Sequence, residues 1–165
     1  MRELSGQLKA GKGDGGRGKG PHAPERLFEG AGPLIERLRA ESPFISGAVM
    51  LARARQILAE LSESDQIAVI NAHPRIGERA ERLRAQSAAA YLEQGSDRDD
   101  RLAPLNDEYE QKFGFRFVVF VNRRPQAAIV PLLEARLQRS RDVERATAIE
   151  EIVAIAEDRL KSEAS

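Results

Sequence analysis

Residues 113–121 read FGFRFVVFV, a nearly unbroken apolar run that holds four of the eight aromatic residues of the chain. By propensity alone such a run is a buried strand. No second run of this type occurs elsewhere in the sequence, and a lone strand would leave its backbone donors and acceptors without partners. The sequence therefore predicts an extended or irregular buried segment inside a helical domain. Buried irregular backbone tends to line functional sites.

On both sides of this run, apolar residues recur every three or four positions, which is the period of an α-helix. Ser62, followed by Asp65 three positions later, resembles a capping box, and Pro125 suits the first residue of a helix. Seven helices are predicted, at about residues 34–38, 46–61, 62–74, 77–93, 99–113, 125–137 and 141–161. The predicted fold is all-α, a single-domain bundle of about seven helices with one buried extended Phe/Val-rich segment.

The composition fits one globular domain, because 165 residues are too few for two well-cored domains and a linker. The 26 basic and 26 acidic side chains balance, so no overall field draws the chain to nucleic acid or to an anionic bilayer. The absence of cysteine excludes disulfides and thiolate nucleophiles, and two histidines are too few for a histidine-rich metal site. Without a membrane-spanning stretch or an apolar leader, a cytoplasmic protein is expected.

Residues 1–22 differ in character from the remainder, since they hold seven of the thirteen glycines and a net charge of +3. They are predicted to form a flexible tail, and residues 23–165 to form the working domain. A nucleic-acid-binding arm is the alternative for the tail. It contains no aromatic residue that could stack on a base, so no nucleic-acid partner is expected.

His73 is the only histidine in the predicted domain, and it directly precedes Pro74. A residue before proline is disfavoured in the α region, so the third helix must end at or just before His73. There the imidazole would feel the negative pole of the helix, which favours its protonated form, and it would lie outside the core. Proton transfer is one role for such a residue; capping of the last helical carbonyls is the other.

Two further places carry candidate groups. Glu93 and Gln94 stand side by side at the end of a predicted helix, where they are either site residues or part of a solvated face. Arg159 lies near the end of a helix otherwise rich in Ile, Val and Ala, a position that also suits a solvent-facing arginine. None of these residues identifies an enzyme by itself.

In combination, four elements resemble the OHCU decarboxylase family, which acts on 2-oxo-4-hydroxy-4-carboxy-5-ureidoimidazoline. They are INAHPRIG at 70–77, the pair Glu93-Gln94, LNDEYEQKFGFRFVV at 105–119 and IAEDRL at 155–160. The resemblance spans roughly residues 27–161. It implies an all-helical, homodimeric enzyme without a cofactor or metal that releases (S)-allantoin in urate degradation, with the ureidoimidazoline as its small-molecule partner.

The resemblance also implies roles for single residues. His73 matches the catalytic histidine of the family, and Glu93, twenty positions later, matches its catalytic carboxylate. The substrate-binding residues that it implies are Pro74, Gln94, Phe117, Val118, Val119 and Arg159.

The motif around Glu93 leaves an alternative open. The family pattern is Ser-x-x-Glu-Gln, and this chain has Ala90 at the serine position. If the motif is anchored on Ser87 instead, the Glu and Gln positions fall on Ala90 and Tyr91, and the carboxylate is missing. The spacing from His73 favours Glu93. The alternative function is that of a diverged, non-catalytic paralogue that serves as a binding or interaction module.

Overall fold

The computed structural model describes residues 22–30, 32–77 and 98–164. These residues form a short 3-10 helix and six α-helices and contain no strand, which confirms the all-α prediction. The 3-10 helix spans Pro24–Arg26, and the α-helices are α1 (Pro33–Glu41), α2 (Gly47–Glu60), α3 (Glu63–Asn71), α4 (Leu102–Phe113), α5 (Gln126–Arg136) and α6 (Arg141–Glu163). Apart from Gly77 and His22, the predicted helix at 77–93 and the predicted tail lie outside the described residues. The domain boundary after residue 22 stays a prediction.

Local sequence signals explain where several helices begin. In each of α2, α3 and α6 a serine hydroxyl accepts a hydrogen bond of 3.1 to 3.3 Å from the backbone N–H three residues later, and these serines are Ser46, Ser62 and Ser140. The capping role predicted for Ser62 is thereby confirmed.

Two predicted helix starts differ from those observed. Helix α4 begins at Leu102, not at residue 99, because Asp99 is engaged elsewhere: its carboxylate accepts from the backbone N–H of Arg101 at 3.0 Å, and its own N–H donates to Gln126 Oε1 at 2.7 Å. Pro125 has an extended backbone with ψ of 157° and precedes α5 as its N-cap, so it is not the first helical residue.

Helix α6 lies at the centre of the packing. Its inner face buries Ala148, Ile152 and Ala156, and α2 and α3 both pack against it. Helix α1 covers α2 and α3, while α4 packs on α5. Within the described ranges, no helix is both long and apolar enough to span a bilayer.

The run at 113–121, called the Phe/Val segment below, leaves α4 through Gly114 and continues as irregular chain that is neither helix nor strand. Gly114 adopts φ of +79°, a left-handed conformation that suits glycine at the end of a helix. The rings of Tyr109, Phe113, Phe115 and Phe117 pack together with centroid distances of 4.6 to 6.1 Å. The prediction of an extended or irregular buried segment is confirmed.

Side chains take the place of a neighbouring strand for this segment. The N–H of Arg116 donates to Asn71 Oδ1 at 2.9 Å, and the N–H of Phe120 donates to Glu151 Oε2 at 2.8 Å. The carbonyl of Val118 accepts from Arg136 Nη1 at 2.7 Å. A buried backbone group needs a partner of some kind, and here polar side chains from α3, α5 and α6 provide it.

Candidate active site

His73 lies in the turn that follows α3. The helix ends at Asn71, and the His73 N–H donates to the Ile70 carbonyl at 3.2 Å, so the helix stops just before Pro74, as predicted. The residue is only 5% exposed. The expectation that His73 lies outside the core is therefore wrong, because the turn folds inward after the helix ends.

Two side chains from other elements hold this turn in place. Arg116 of the Phe/Val segment donates through Nη1 to the His73 carbonyl at 2.9 Å and to the Asn71 carbonyl at 3.2 Å. The buried Asn106 of α4 donates to the carbonyl of Ile76 at 3.1 Å. The position of the imidazole thus depends on α3, α4 and the Phe/Val segment together.

The segment that joins the 3-10 helix to α1 packs directly against the His73 turn. Gly30 has φ of +75°, and a Cβ atom added there would lie 2.9 Å from the Cβ of Ala72. That distance is too short for any side chain, so the close approach requires glycine. Gly30 therefore lies directly against Ala72, the residue that precedes His73.

Arg159 reaches the same place from the C-terminal part of α6. Its Nη2 contacts Glu29 Oε1 at 2.6 Å, and its Nη1 donates to the carbonyl of Leu27 at 3.0 Å. The side chains of Arg159 and Glu29 are 15% and 1% exposed. Arg159 is thus a largely buried, paired group and not a solvent-facing one.

The surroundings of His73 control its charge. Burial lowers the pKa of His73 to about 4; the carboxylate of Glu29 acts to raise this pKa, and the guanidinium of Arg159 acts to lower it. At neutral pH the imidazole is therefore neutral. The protonated form expected from the helix pole is wrong, because desolvation of the cation outweighs the partial charges at the end of α3.

The imidazole also has no capping role among the residues described. None of them forms a hydrogen bond with its ring nitrogens, and only the backbone of His73 is engaged. Within the described ranges, the ring nitrogens of this buried imidazole are therefore not taken up by a structural role.

The structure brings together some of the predicted site residues and places others in the core. His73 and Arg159 influence each other electrostatically, and Pro74 continues the His73 turn. Phe117 is 1% exposed, and its ring packs against Tyr109 at 5.3 Å and under the Arg136 guanidinium at 4.6 Å. Val118 and Val119 are buried as well. Glu93 and Gln94 lie outside the described residues, as do Ser87 and Ala90.

One residue of this arrangement was not anticipated from the sequence. Glu29 follows a buried phenylalanine and precedes a glycine, a context in which an acidic residue normally reads as surface. The only signal was its place between Phe28 and Gly30, and that signal is weak. Its role becomes visible only once Arg159, 130 residues later, is brought beside it.

Among the residues in the described ranges, no three His, Asp or Glu side chains gather closely enough to hold a metal ion. What this part of the chain does provide is a neutral imidazole, a guanidinium and a carboxylate at one buried point. Such a set can bind a small anion and move a proton, so fold and site describe an all-helical protein with a candidate acid–base site.

The chain belongs to the OHCU decarboxylase family, whose model matches residues 22–161. It is 32% identical over 138 residues to the 2-oxo-4-hydroxy-4-carboxy-5-ureidoimidazoline decarboxylase of Haloferax volcanii, covering 81% of this chain and 82% of that protein. It is 30% identical to a uric acid degradation bifunctional protein of Bacillus sp., covering 82% of this chain and 28% of that protein. The crystal structure of an OHCU decarboxylase in the presence of (S)-allantoin matches with a TM-score of 0.62 and 25% identity, covering 83% of this chain and 94% of that one.

Proposed function

We propose that this protein decarboxylates 2-oxo-4-hydroxy-4-carboxy-5-ureidoimidazoline to (S)-allantoin in urate degradation. The relatives named for this activity and the solved structure with (S)-allantoin support the assignment. The observation that carries it in this chain is that the buried His73 and the largely buried Arg159 lie close enough to influence each other electrostatically, because the substrate is a carboxylate that must be gripped and a proton must be moved next to it.

The chemistry of the substrate explains why such groups suffice. When CO2 leaves a ring carbon, the electron pair of the broken bond can be absorbed by the neighbouring imine-like carbon and nitrogen of the ring. Replacement of a carboxylate by hydrogen then consumes one proton, which must reach one face of a planar intermediate. The protein has to orient the substrate, bind its hydroxyl and carboxylate, and deliver that proton.

His73 is the proposed acid and base. Since its imidazole is neutral at neutral pH, it can first accept the proton of the substrate hydroxyl, and the imidazolium so formed can then act as an acid. Glu93 is the proposed partner that sets the charge of this imidazole. Protonation from one side only would produce a single enantiomer.

Arg159 is proposed to bind the substrate through its guanidinium. An arginine carries five N–H donors, of which Glu29 and Leu27 take one each. The remaining donors can form the paired hydrogen bonds that a carboxylate or a ureido oxygen accepts. We propose that three further groups complete the site, namely Pro74, Gln94 and the backbone of residues 117–119. The backbone is proposed here because the ring of Phe117 is engaged in the core.

The activity is tested by supplying freshly generated imidazoline and following chiral allantoin by circular dichroism. Faster appearance of (S)-allantoin than in buffer is the expected result. A folded wild-type protein that leaves the spontaneous rate and the racemic outcome unchanged would favour the alternative, a non-catalytic paralogue that serves as an interaction module.

Comparing Glu93→Gln with Ser87→Ala decides between the two alignments of the second motif. If Glu93 is the partner of His73, its neutralisation lowers kcat, and the acidic limb of the pH profile moves to lower pH because the pKa of the histidine drops when the negative charge is lost. Ser87→Ala is then mild. Steady-state rates from pH 3 to 8 provide the measurement. A silent Glu93→Gln in an active enzyme would contradict the assignment of Glu93.

Arg159→Lys is expected to raise KM much more than conservation of charge suggests, since an ammonium cannot reproduce the planar fork of a guanidinium. The variant also loses one of the two contacts that anchor the side chain to Glu29 and Leu27. Substrate-saturation curves of the variant and the wild type measure the effect. An unchanged KM would mean that the grip on the substrate comes from another residue.

The assembly of the protein is proposed from the family resemblance, and its location is proposed from the sequence. We propose a cytoplasmic homodimer, and sedimentation equilibrium of the purified chain tests the dimer. The tail at residues 1–22 is proposed to have no role in the reaction, so its deletion should leave kcat and KM unchanged.

A further inference from the structure

We infer that Glu29 is a positioning residue for the reaction, which acts by holding the guanidinium of Arg159 in one orientation toward the substrate. The inference rests on the proposed function and assigns to it a residue that lies at the other end of the chain from Arg159. Four steps carry it: the way the guanidinium is held, the burial of the pair, its connection to the His73 turn, and the charge at this point.

The guanidinium is held at two of its nitrogens by one short stretch of chain. Nη2 contacts Glu29 Oε1 at 2.6 Å, and Nη1 donates to the carbonyl of Leu27 at 3.0 Å. Because both terminal nitrogens are engaged, the plane of the guanidinium is fixed, whereas a single contact would leave it free to rotate. An arginine fixed in this way loses less conformational entropy when a substrate binds.

Glu29 is buried and Arg159 is largely buried, so the contact is not a surface ion pair of small effect. The Glu29 side chain is 1% exposed and that of Arg159 is 15% exposed. Removal of one partner from such a pair leaves the other charge without compensation in a poorly solvated place. Arg159 would then have to find other acceptors, and its donors would turn away from their present directions.

The stretch at residues 27–30 also contacts the His73 turn. One residue after Glu29, Gly30 approaches Ala72 so closely that no side chain fits between them. Ala72 directly precedes His73. The backbone at residues 27–30 therefore contacts both the arginine and the turn that carries the imidazole, and this sets the separation between the two groups.

The charge of Glu29 fits the same role. Without it, the buried guanidinium of Arg159 would stand beside His73 with no carboxylate among the described residues to offset it. With Glu29 present, the charges of the two side chains sum to zero. The arriving substrate carboxylate therefore meets an oriented hydrogen-bond donor and not an unscreened cation. Orientation, more than attraction, is what Glu29 contributes.

The experiment compares Glu29→Gln and Glu29→Asp with the wild type in steady-state decarboxylation. Glu29→Gln is expected to raise KM about ten- to a hundredfold, in line with the loss of a hydrogen bond to a charged group, while kcat changes by less than about threefold. Glu29→Asp keeps the negative charge, but its side chain is one methylene shorter. Its KM is therefore expected to lie between those of the wild type and Glu29→Gln.

Glu25→Gln is the matched control. Glu25 lies in the same N-terminal stretch and pairs with Arg39 of α1, away from Arg159, so this variant is expected to keep the wild-type KM. The double variant Glu29→Gln/Arg159→Ala gives a second check. If Glu29 acts through Arg159, the double variant has the same KM as Arg159→Ala alone.

The outcomes separate this inference from the proposed function. A wild type without decarboxylase activity overturns both. An active wild type whose KM is unaffected by Glu29→Gln overturns the positioning role alone. The positioning role is also overturned if Glu29→Gln lowers kcat at constant KM in proportion to a loss of folded protein measured by circular dichroism. Such a result would mean that Glu29 has only a structural role. If Glu29→Gln does not fold, Glu29→Asp decides by the same criterion.

Discussion

Replacement of His73 by Asn is expected to lower kcat/KM for the decarboxylation by about 10² to 10⁴, the range that a general acid or base contributes. Asparagine fills much of the buried space and retains polarity, so the turn should survive the change. The loss then reflects missing proton transfer and not unfolding. Chiral allantoin followed by circular dichroism measures the effect, and the enantiomeric excess of the product should collapse as well.

His22→Asn is the matched control, since His22 is the only other histidine and is exposed. It should behave as the wild type. Retained enantioselectivity in a folded His73→Asn protein would remove His73 from the mechanism.

The depressed pKa of His73 also predicts the shape of the pH profile. Its pKa is about 4, so the neutral form persists from high pH down to that value and is lost below it. The acidic limb of kcat/KM should therefore lie near pH 4, well below the value near 6.5 of an unperturbed histidine. A limb near pH 6.5 would show that the imidazole is solvated in the free enzyme.

Glu144→Gln is expected to have the largest effect on stability, about 3 to 5 kcal/mol in the free energy of unfolding. Glu144 is fully buried, and its Oε1 accepts from the Tyr109 hydroxyl at 2.6 Å and from Arg136 Nε at 2.7 Å. Burial, together with the hydrogen bond to Glu144, raises the pKa of Tyr109. Without the carboxylate, Arg136 keeps a buried charge that has lost its counter-ion.

The same network reaches the Phe/Val segment, because Arg136 also donates to the carbonyl of Val118 at 2.7 Å. Urea denaturation followed by circular dichroism measures the loss in the free energy of unfolding that Glu144→Gln causes. Glu157→Gln, in the same helix but paired with Arg55 at the surface, is the control, and about 1 kcal/mol at most is expected there. Equal losses in the two variants would show that the Glu144 network does not stabilise the core.

The helices could be predicted because their signals are local. Apolar residues repeat with the helical period, serines stand at the N-termini of α2, α3 and α6, and Pro74 stops the third helix. The predicted start of α4 failed for the opposite reason, since Asp99 is held by Gln126, a residue far along the chain. The residue at which a helix begins depends on such distant contacts, whereas the existence of the helix depends mainly on the local pattern.

The candidate site could be predicted only in part. His73 and Arg159 were indicated by their resemblance to a family pattern, and the structure brings them together. Glu29 matched no pattern, because an acidic residue beside a glycine carries no periodic or motif signal. The roles of Glu93 and Gln94 remain predictions.

By itself, the amino-acid sequence determined the all-helical class and the turn at His73, because the helical period of the apolar residues and the effect of Pro74 act within a few residues. It also determined the irregular nature of the Phe/Val segment, because the chain contains no second apolar run with which a strand could pair. Only the tertiary structure decided that the segment is satisfied by Asn71, Arg136 and Glu151. It also decided that the His73 imidazole is neutral and that Arg159 is held by Glu29. Desolvation and ion pairing depend on which distant residues enclose a group, and no local pattern in the chain records that.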